Sequence, residues 1–285
     1  MKFIAEVSSN HSQSLDRCLK FIDVAADANC HAIKFQLFRV DKLFAPEILA
    51  TSEAHQKRRA WELPLDFLPY LKERAQAKGI EFACTPFDID AVKELVPYVD
   101  FFKIASYELL WTDLLDACAK TGKPIILSTG MATEQEIVNA VNTLKNGGCK
   151  DPILLHCTSA YPTPHSEANL AAIDTIHKLT GCEVGWSDHT ANPAVIQRAV
   201  HRWGAEIIEF HLDLDGQGEE FATGHCWLPD QIKAVINDIE IAYEADGNGV
   251  KAPVPSELPD RLWRADPIDG LRPLREIRDS WNKAD

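Results

Sequence analysis

Eight short β-rich runs alternate with helix-period stretches along this chain, and that alternation is its strongest folding constraint. The runs are KFIAEVS, HAIKFQLF, IEFACT, FFKIAS, PIILST, PILLHCT, CEVGWS and AEIIEFH. Between them lie segments such as LDRCLKFIDVAADA, LDFLPYLKERAQAK, EQEIVNAVNTLKN, PAVIQRAVHRWG and PDQIKAVINDIEIAYEA, whose apolar residues recur at helical spacing. Thr133 with Glu136 forms a capping-box signature, and Gly79, Gly122 and Gly204 stand where helices should end. A doubly wound sheet would require a glycine-rich turn after the first strand, and SSNHSQS has no glycine. The pattern therefore predicts an α/β fold, a (β/α)8 TIM barrel with a short C-terminal extension. The 285 residues suit one barrel of about 250 residues plus a tail. We place the barrel at 1–247 and the extension at 248–285, a Pro-rich stretch expected to pack on the barrel or on a partner subunit. One long connection, from Arg39 to about Pro64, carries Lys57-Arg58-Arg59. It reads equally as a solvated excursion or as a lid over the barrel mouth.

A net charge of −14 argues against nucleic-acid binding, which needs a basic stripe, but leaves room for a small anion held by a few local lysines. The eight cysteines include no C-x-x-C pair and read as reduced, mostly buried thiols. Glu6 interrupts the N-terminal apolar run too early for a signal peptide, and no run approaches the ~20 apolar residues of a membrane span. A soluble, cytoplasmic protein with no membrane partner is expected.

In a barrel of this kind the chemistry sits at the C-terminal ends of the strands. The predicted ends supply, in order, Glu6; Lys34 and Gln36; Thr85; Lys103, Ser106 and Glu108; Ser128 and Thr129; His156, Thr158 and Ser159; Ser187, Asp188 and His189; and Glu209 and His211. Any one of these has a bland explanation: a snorkelling lysine, a satisfied core histidine, or a turn-capping Ser or Asp in GWSDHT. All eight ends being polar by accident is much less plausible. Hydroxyls and lysines converging on one mouth suit phosphate and carboxylate oxygens. His189 and His211 end adjacent strands, so their imidazoles suit a first-row divalent metal with positions left open.

The segments AEVSSNH, AIKFQLF, ACTPFD, FFKIASYEL, GKPIILSTGMAT, ILLHCTSAYPTP, SDHT and EIIEFHLDLD resemble, in order and spacing, the sialic acid synthase family. The resemblance covers roughly residues 1–245. It implies an enzyme of the phosphoenolpyruvate-dependent carbon–carbon bond-forming class, in which an aldehyde sugar, N-acylmannosamine-like or a variant, becomes a 2-keto-3-deoxy sugar acid. It implies His189 and His211 as ligands of a divalent metal, usually Mn2+, with Co2+ or Mg2+ as alternatives. Lys34, Thr85, Lys103, Ser106, Ser128 and Ser187 match positions that hold the phosphate and carboxylate of phosphoenolpyruvate. Glu6, Gln36, Glu108 and Tyr161 match positions near the sugar and the reacting carbons. Glu6, Glu108 and Lys103 are the residues expected to carry catalysis, Glu6 by handling the proton of the attacking water and Glu108 by orienting the sugar. A homo-oligomer, most simply a dimer, is expected.

Three departures stand out. The family's GxNHNG after the first strand is replaced by Ser8, Ser9, Asn10, His11, Ser12 and Gln13. Its GPDH-like turn after the eighth strand becomes GEEFATGHCWLP, with Gly224 in the aspartate position. Glu219 and Glu220 are candidates to replace that aspartate, although such loop acids are more often simply solvated. Many members of the family carry a C-terminal antifreeze-like domain that supplies an arginine to the partner subunit's sugar site, and this chain is expected to lack it. Replacement contacts are expected from Arg39–Pro64, from Arg261 and Arg264, or from Trp227. The competing readings are a synthase for a different, shorter aldehyde, a Schiff-base aldolase, and a barrel that senses or scaffolds sugar ligands without turnover.

Overall fold

The computed structural model describes residues 1–281. The predicted strands form as β1 (Lys2–Glu6), β2 (Ala32–Leu37), β3 (Glu81–Pro86), β4 (Phe101–Ile104), β5 (Ile125–Ser128), β6 (Ile153–Cys157), β7 (Val184–Asp188) and β8 (Ile207–Leu212). Each pairs in parallel with its sequence neighbour, and β1 pairs with β8 to close the (β/α)8 barrel. Closure sets Glu6 beside Lys34 on one side and beside His211 on the other. A two-residue strand, β9 (Cys226–Trp227), adds outside β8 with His211 opposite Cys226.

Strand parity divides the core in two. Ile4, Ala32, Ala83, Phe101, Ile126, Leu155 and Ile207 form a separate cluster, the plug that fills the barrel interior. The alternate strand residues, among them Ala5, Phe35, Phe82, Phe102, Leu127, Trp186 and Phe210, pack outward under the helices. Two residues along each strand from the plug, side chains of the same parity project into the mouth. Glu6, Lys34, Thr85, Lys103, Ser128, Cys157 and Glu209 all arrive there by this one rule.

The helices start and stop where local chemistry dictates. The helix Glu134–Asn146 opens on Thr133, whose Oγ1 accepts from Glu136 N at 3.4 Å while Glu136 Oε2 accepts from Thr133 N at 2.7 Å. Its Ile137, Ala140, Val141 and Leu144 form the buried stripe. The helix Pro193–Trp203 has proline in its first turn, an Asn192 cap, and Gly204 in the left-handed conformation at its end.

The segment from Arg39 to Pro64 folds into short helices Val40–Leu43, Pro46–Leu49 and Glu53–Lys57 and a 3-10 turn Arg58–Trp61. It is pinned at both ends. Glu62 Oε1 accepts from Val40 N at 2.7 Å, and Arg39 pairs with Asp88 at 3.0 Å. One compact unit spans Met1–Glu240, and a second begins at Ile241. Within the second, Asp269 pairs with Arg278 at 2.8 Å, and Asp266 accepts from Arg275 N at 2.9 Å. No helix among the described residues is long and apolar enough to cross a membrane.

Candidate active site

The mouth holds a buried charge network. The Lys34 ammonium meets Glu6 Oε2 and donates to Thr85 Oγ1 at 3.1 Å. Glu6 Oε1 also accepts from Gln36 Nε2 at 2.7 Å and from Ser8 N at 3.0 Å. Lys103 Nζ donates to Ser128 Oγ at 2.7 Å and lies 3.5 Å from Glu209 Oε1, which accepts from Ser187 Oγ at 3.2 Å. Burial alone would lower the pKa of both lysines. For Lys34 the nearby Glu209 and Glu6 carboxylates outweigh it and hold the ammonium above its usual range. For Lys103 burial wins, helped by repulsion from Lys34 and opposed by Glu209. Burial pushes Glu209 up as well, but Lys103, Lys34, His211 and His189 reverse the sign. Two cations, two anions and a ring of hydroxyls are thus packed together, with Glu209 Oε2 left without a hydrogen-bond partner among the described residues, poised to exchange internal partners for an external anion.

Beside this network sit three imidazoles. The ring centroids of His189 and His211 are 5.3 Å apart, and those of His211 and His225 are 4.8 Å apart. Tyr161 stacks on His189 at 4.1 Å. His189 Nδ1 faces Thr158 O at 3.0 Å, which directs its Nε2 edge away from the loop. His211 Nδ1 faces Glu220 Oε2 at 3.0 Å, and His225 Nε2 lies 3.6 Å from the same oxygen. Donor atoms of His211, Glu220, His225 and Cys226 lie within 4.8 Å of one another. A set of imidazoles with one carboxylate is the donor chemistry of a first-row divalent ion, so these residues fit a metal.

Glu220 corrects the reading of this turn, because it is no solvated loop acid. Its Oε1 accepts from Ser8 Oγ at 2.5 Å, Ser9 Oγ at 2.6 Å and Ser9 N at 3.2 Å. Burial opposes its charge, yet bonds from His211, His225 and Ser8 hold its pKa well below the usual carboxylate range. Glu219 is the exposed neighbour. Two departures from the family pattern therefore meet: the serines after β1 grip the glutamate after β8. Ser8 and Gln13 keep left-handed φ values of 50° and 51° at the two glycine positions of that pattern. Gln13 Nε2 also donates to the carbonyls of Arg59 and Glu62, both at 3.0 Å. Strain at these non-glycine residues is offset by the contacts their side chains make.

Other expected site residues fall into place individually. Ser106 Oγ accepts from Gly130 N at 3.0 Å, and a Cβ on Gly130 would meet Ser159 Oγ at 2.3 Å, so the glycine keeps this corner open. Glu108 is buried with Oε2 lacking a hydrogen-bond partner among the described residues, and burial raises its pKa to about 7. Asp188 points away from the mouth. It accepts from the indoles of Trp186 at 3.0 Å and Trp227 at 3.1 Å and from Thr190 Oγ1 at 2.7 Å. That pairing answers what the aspartate of GWSDHT does, and it removes Trp227 as a sugar contact. His156 also faces outward, bonding Ala168 O at 3.0 Å.

His211 and His225 border a cavity of about 860 Å3, lined also by Gln36, Glu108, Tyr161 and Glu220. Leu43, Phe44, Arg58 and Trp61 line it too, so the Arg39–Pro64 segment contributes to the wall of the mouth.

The NeuB family profile matches residues 21–251. An uncharacterised protein of Methanocaldococcus jannaschii is 39% identical over 257 residues, 89% of this chain and 74% of that protein. The N,N'-diacetyllegionaminic acid synthase of Campylobacter jejuni is 36% identical, covering 89% of this chain and 80% of its own length. The crystal structure of N-acetylneuraminic acid (sialic acid) synthetase from Leptospira borgpetersenii in complex with citrate superimposes with a TM-score of 0.80 at 33% identity, over 99% of this chain and 92% of that one. With this match across most of its barrel, the chain belongs to the NeuB family.

Proposed function

We propose that the protein condenses phosphoenolpyruvate with an aldehyde sugar to a 2-keto-3-deoxy sugar acid, releasing phosphate by C–O cleavage in the cytoplasm. The observation that carries this reading is the buried pair Lys34 and Lys103, ringed by hydroxyls, directly beside the imidazole cluster. Phosphate and carboxylate of phosphoenolpyruvate would take over the ammonium groups, with Thr85, Ser106, Ser128 and Ser187 donating to their oxygens. Glu209 positions Lys103 by pairing with it at 3.5 Å and Ser187 by accepting from its hydroxyl. His211 would hold the divalent ion together with Glu220 and His225, whose donor atoms lie within 4.8 Å of its own, and His189 would join them from the neighbouring strand, as the family resemblance implies. When bound, the ion supplies Lewis acidity toward an aldehyde oxygen.

The chain's own groups handle the rest. C3 of phosphoenolpyruvate adds to the aldehyde carbon, and water adds at C2. Once its lysine partner turns to substrate, Glu6 is the carboxylate free to take that water's proton. Glu108, kept neutral up to about pH 7 by burial, is a hydrogen-bond donor for the sugar. Lys34 is disfavoured as a Schiff-base nucleophile because two carboxylates hold it as an ammonium; for Lys103, whose pKa burial lowers, borohydride trapping with substrate is the check. The test is phosphate release from phosphoenolpyruvate across a panel of aldehydes, with bridging 18O followed into the phosphate. Transfer of the label supports the reading. Absence of both phosphate release and phosphoenolpyruvate binding would overturn it.

A further inference from the structure

Arg58 stands out among the residues lining the mouth. It is the one lysine or arginine among the described lining residues, carried by the connection after β2, whereas the imidazoles come from the ends of β7 and β8 and the residue before β9. Its guanidinium lies between two aromatic faces, 5.4 Å from the Phe44 ring and 5.3 Å from the Trp61 ring. Both rings are themselves fixed. Phe44 packs edge-on against His55 at 4.6 Å, and His55 Nδ1 is held by Ser52 Oγ at 2.7 Å. Trp61 sits between Arg59 and Glu62, whose carbonyls are held by Gln13. The flanking bases have carboxylate partners: Lys57 with Glu53 at 3.9 Å, and Arg59 with Asp41. Arg58 has no carboxylate or hydrogen-bond partner among the described residues.

Ring faces satisfy the flat surfaces of a guanidinium but leave its N–H edge unused. Stacking also removes most of the rotamer freedom an exposed arginine would lose on binding, so the fork is pre-organised. A planar fork with five donors is matched best by the paired oxygens of a phosphate or carboxylate. Leu43 and Phe87 leave the intervening cavity wall largely apolar. Phosphoenolpyruvate already has its two lysines at the floor, so the group at Arg58 must belong to the other substrate.

We propose that Arg58 binds an anionic group, a phosphate ester or a carboxylate, at the end of the acceptor sugar remote from its aldehyde. The inference rests on the acceptor reading above and adds the acceptor's charge. It makes uncharged N-acetylmannosamine a poor substrate.

The test compares N-acetylmannosamine, its 6-phosphate and the corresponding 6-carboxylate as acceptors for wild type, Arg58→Ala and Arg58→Lys. One anionic acceptor should exceed the neutral sugar by at least tenfold in kcat/KM, and which one does so separates phosphate from carboxylate. Arg58→Ala should collapse that ratio at least tenfold, and Arg58→Lys should restore only part of it, having charge without the fork. Equal use of neutral and anionic sugars by wild type overturns the proposal, as does a loss in Arg58→Ala that is the same for all three. If no acceptor turns over, the condensation reading is what has failed, and calorimetry decides Arg58 alone. Tighter binding of either anionic sugar by wild type than by Arg58→Ala supports the site, and indistinguishable binding sinks it.

Discussion

Replacing Glu220 by alanine tests the junction between the two variant loops. The carboxylate accepts from Ser8 Oγ, Ser9 Oγ and Ser9 N on one oxygen and faces His211 Nδ1 on the other. Of these donors the Ser8 hydroxyl and the His211 ring are buried, while Ser9 is half-buried and able to turn to water. Stranding a buried donor costs about 1–3 kcal/mol, so the two together set an expected loss of roughly 2–6 kcal/mol. For a domain of this size that lowers the melting temperature by about 2–4 °C per kcal/mol. Glu220→Gln should fall between, because its single carbonyl oxygen serves the serines or the histidine but not both. Losing a carboxylate that both belongs to the donor set and orients His211 should also weaken divalent-metal binding, by at least about 10–100-fold. Calorimetric melting of the metal-free proteins, and competition for Mn2+ against a chromogenic chelator, measure the two effects separately. An alanine variant that melts with wild type and retains full Mn2+ affinity refutes the reasoning.

Four further outcomes are expected. Chelator treatment should abolish phosphate release, Mn2+ or Co2+ should restore it in wild type, and His211→Ala should stay inactive; full activity in that chelated variant would remove the metal from the mechanism. Glu108 has a folded-state pKa raised by burial to about 7, so the folded protein binds the extra proton and stability should fall as pH rises from about 4.5 to about 7. Glu108→Gln should lack that dependence, worth up to about 3 kcal/mol, and parallel urea titrations at pH 5 and 8 read the difference. Gly185→Ala would place its Cβ 2.2 Å from the Ile207 carbonyl oxygen, inside the barrel and against backbone. Denaturant unfolding should show a loss of about 1–3 kcal/mol, and an unchanged midpoint would count against that packing. Gln13→Gly relieves a left-handed residue but frees the Arg39–Pro64 wall, so acceptor KM should rise while KM for phosphoenolpyruvate holds; a shift in both alike would deny the wall its role.

The strands and their polar ends were legible because period-two alternation and the barrel's one chemical face leave few choices. Parity then sorts what the polar-end pattern alone leaves together. Ser187 and His189 face in and Asp188 faces out, and His156 turns outward between Leu155 and Cys157. Glu209 shares the inward parity of His211, but its importance depends on two lysines from distant strands. His225 was hidden for a different reason. It reaches the site because the two-residue β9 adds beside β8, a pairing too short to leave a periodic signature. Glu220 stood in the sequence only as one of two candidates, because a loop acid reads as solvated until its partners, two serines across the barrel seam, are known.

That seam makes the first and last loops of the barrel a single exchangeable part. Ser8 and Glu220 are 212 positions apart, yet they touch, and Asn10 Nδ2 donates to Leu212 O at 3.1 Å while Arg17 pairs with Asp213 at 3.1 Å. The (β/α)8 fold supports many chemistries by loop variation, as if each βα connection were a free module. Here a graft of residues 8–13 alone would strip Glu220 of its serine donors, and a graft of 213–227 alone would leave Ser8 in left-handed backbone without its carboxylate contact. Chimeras should function only when 8–17 and 213–227 move together.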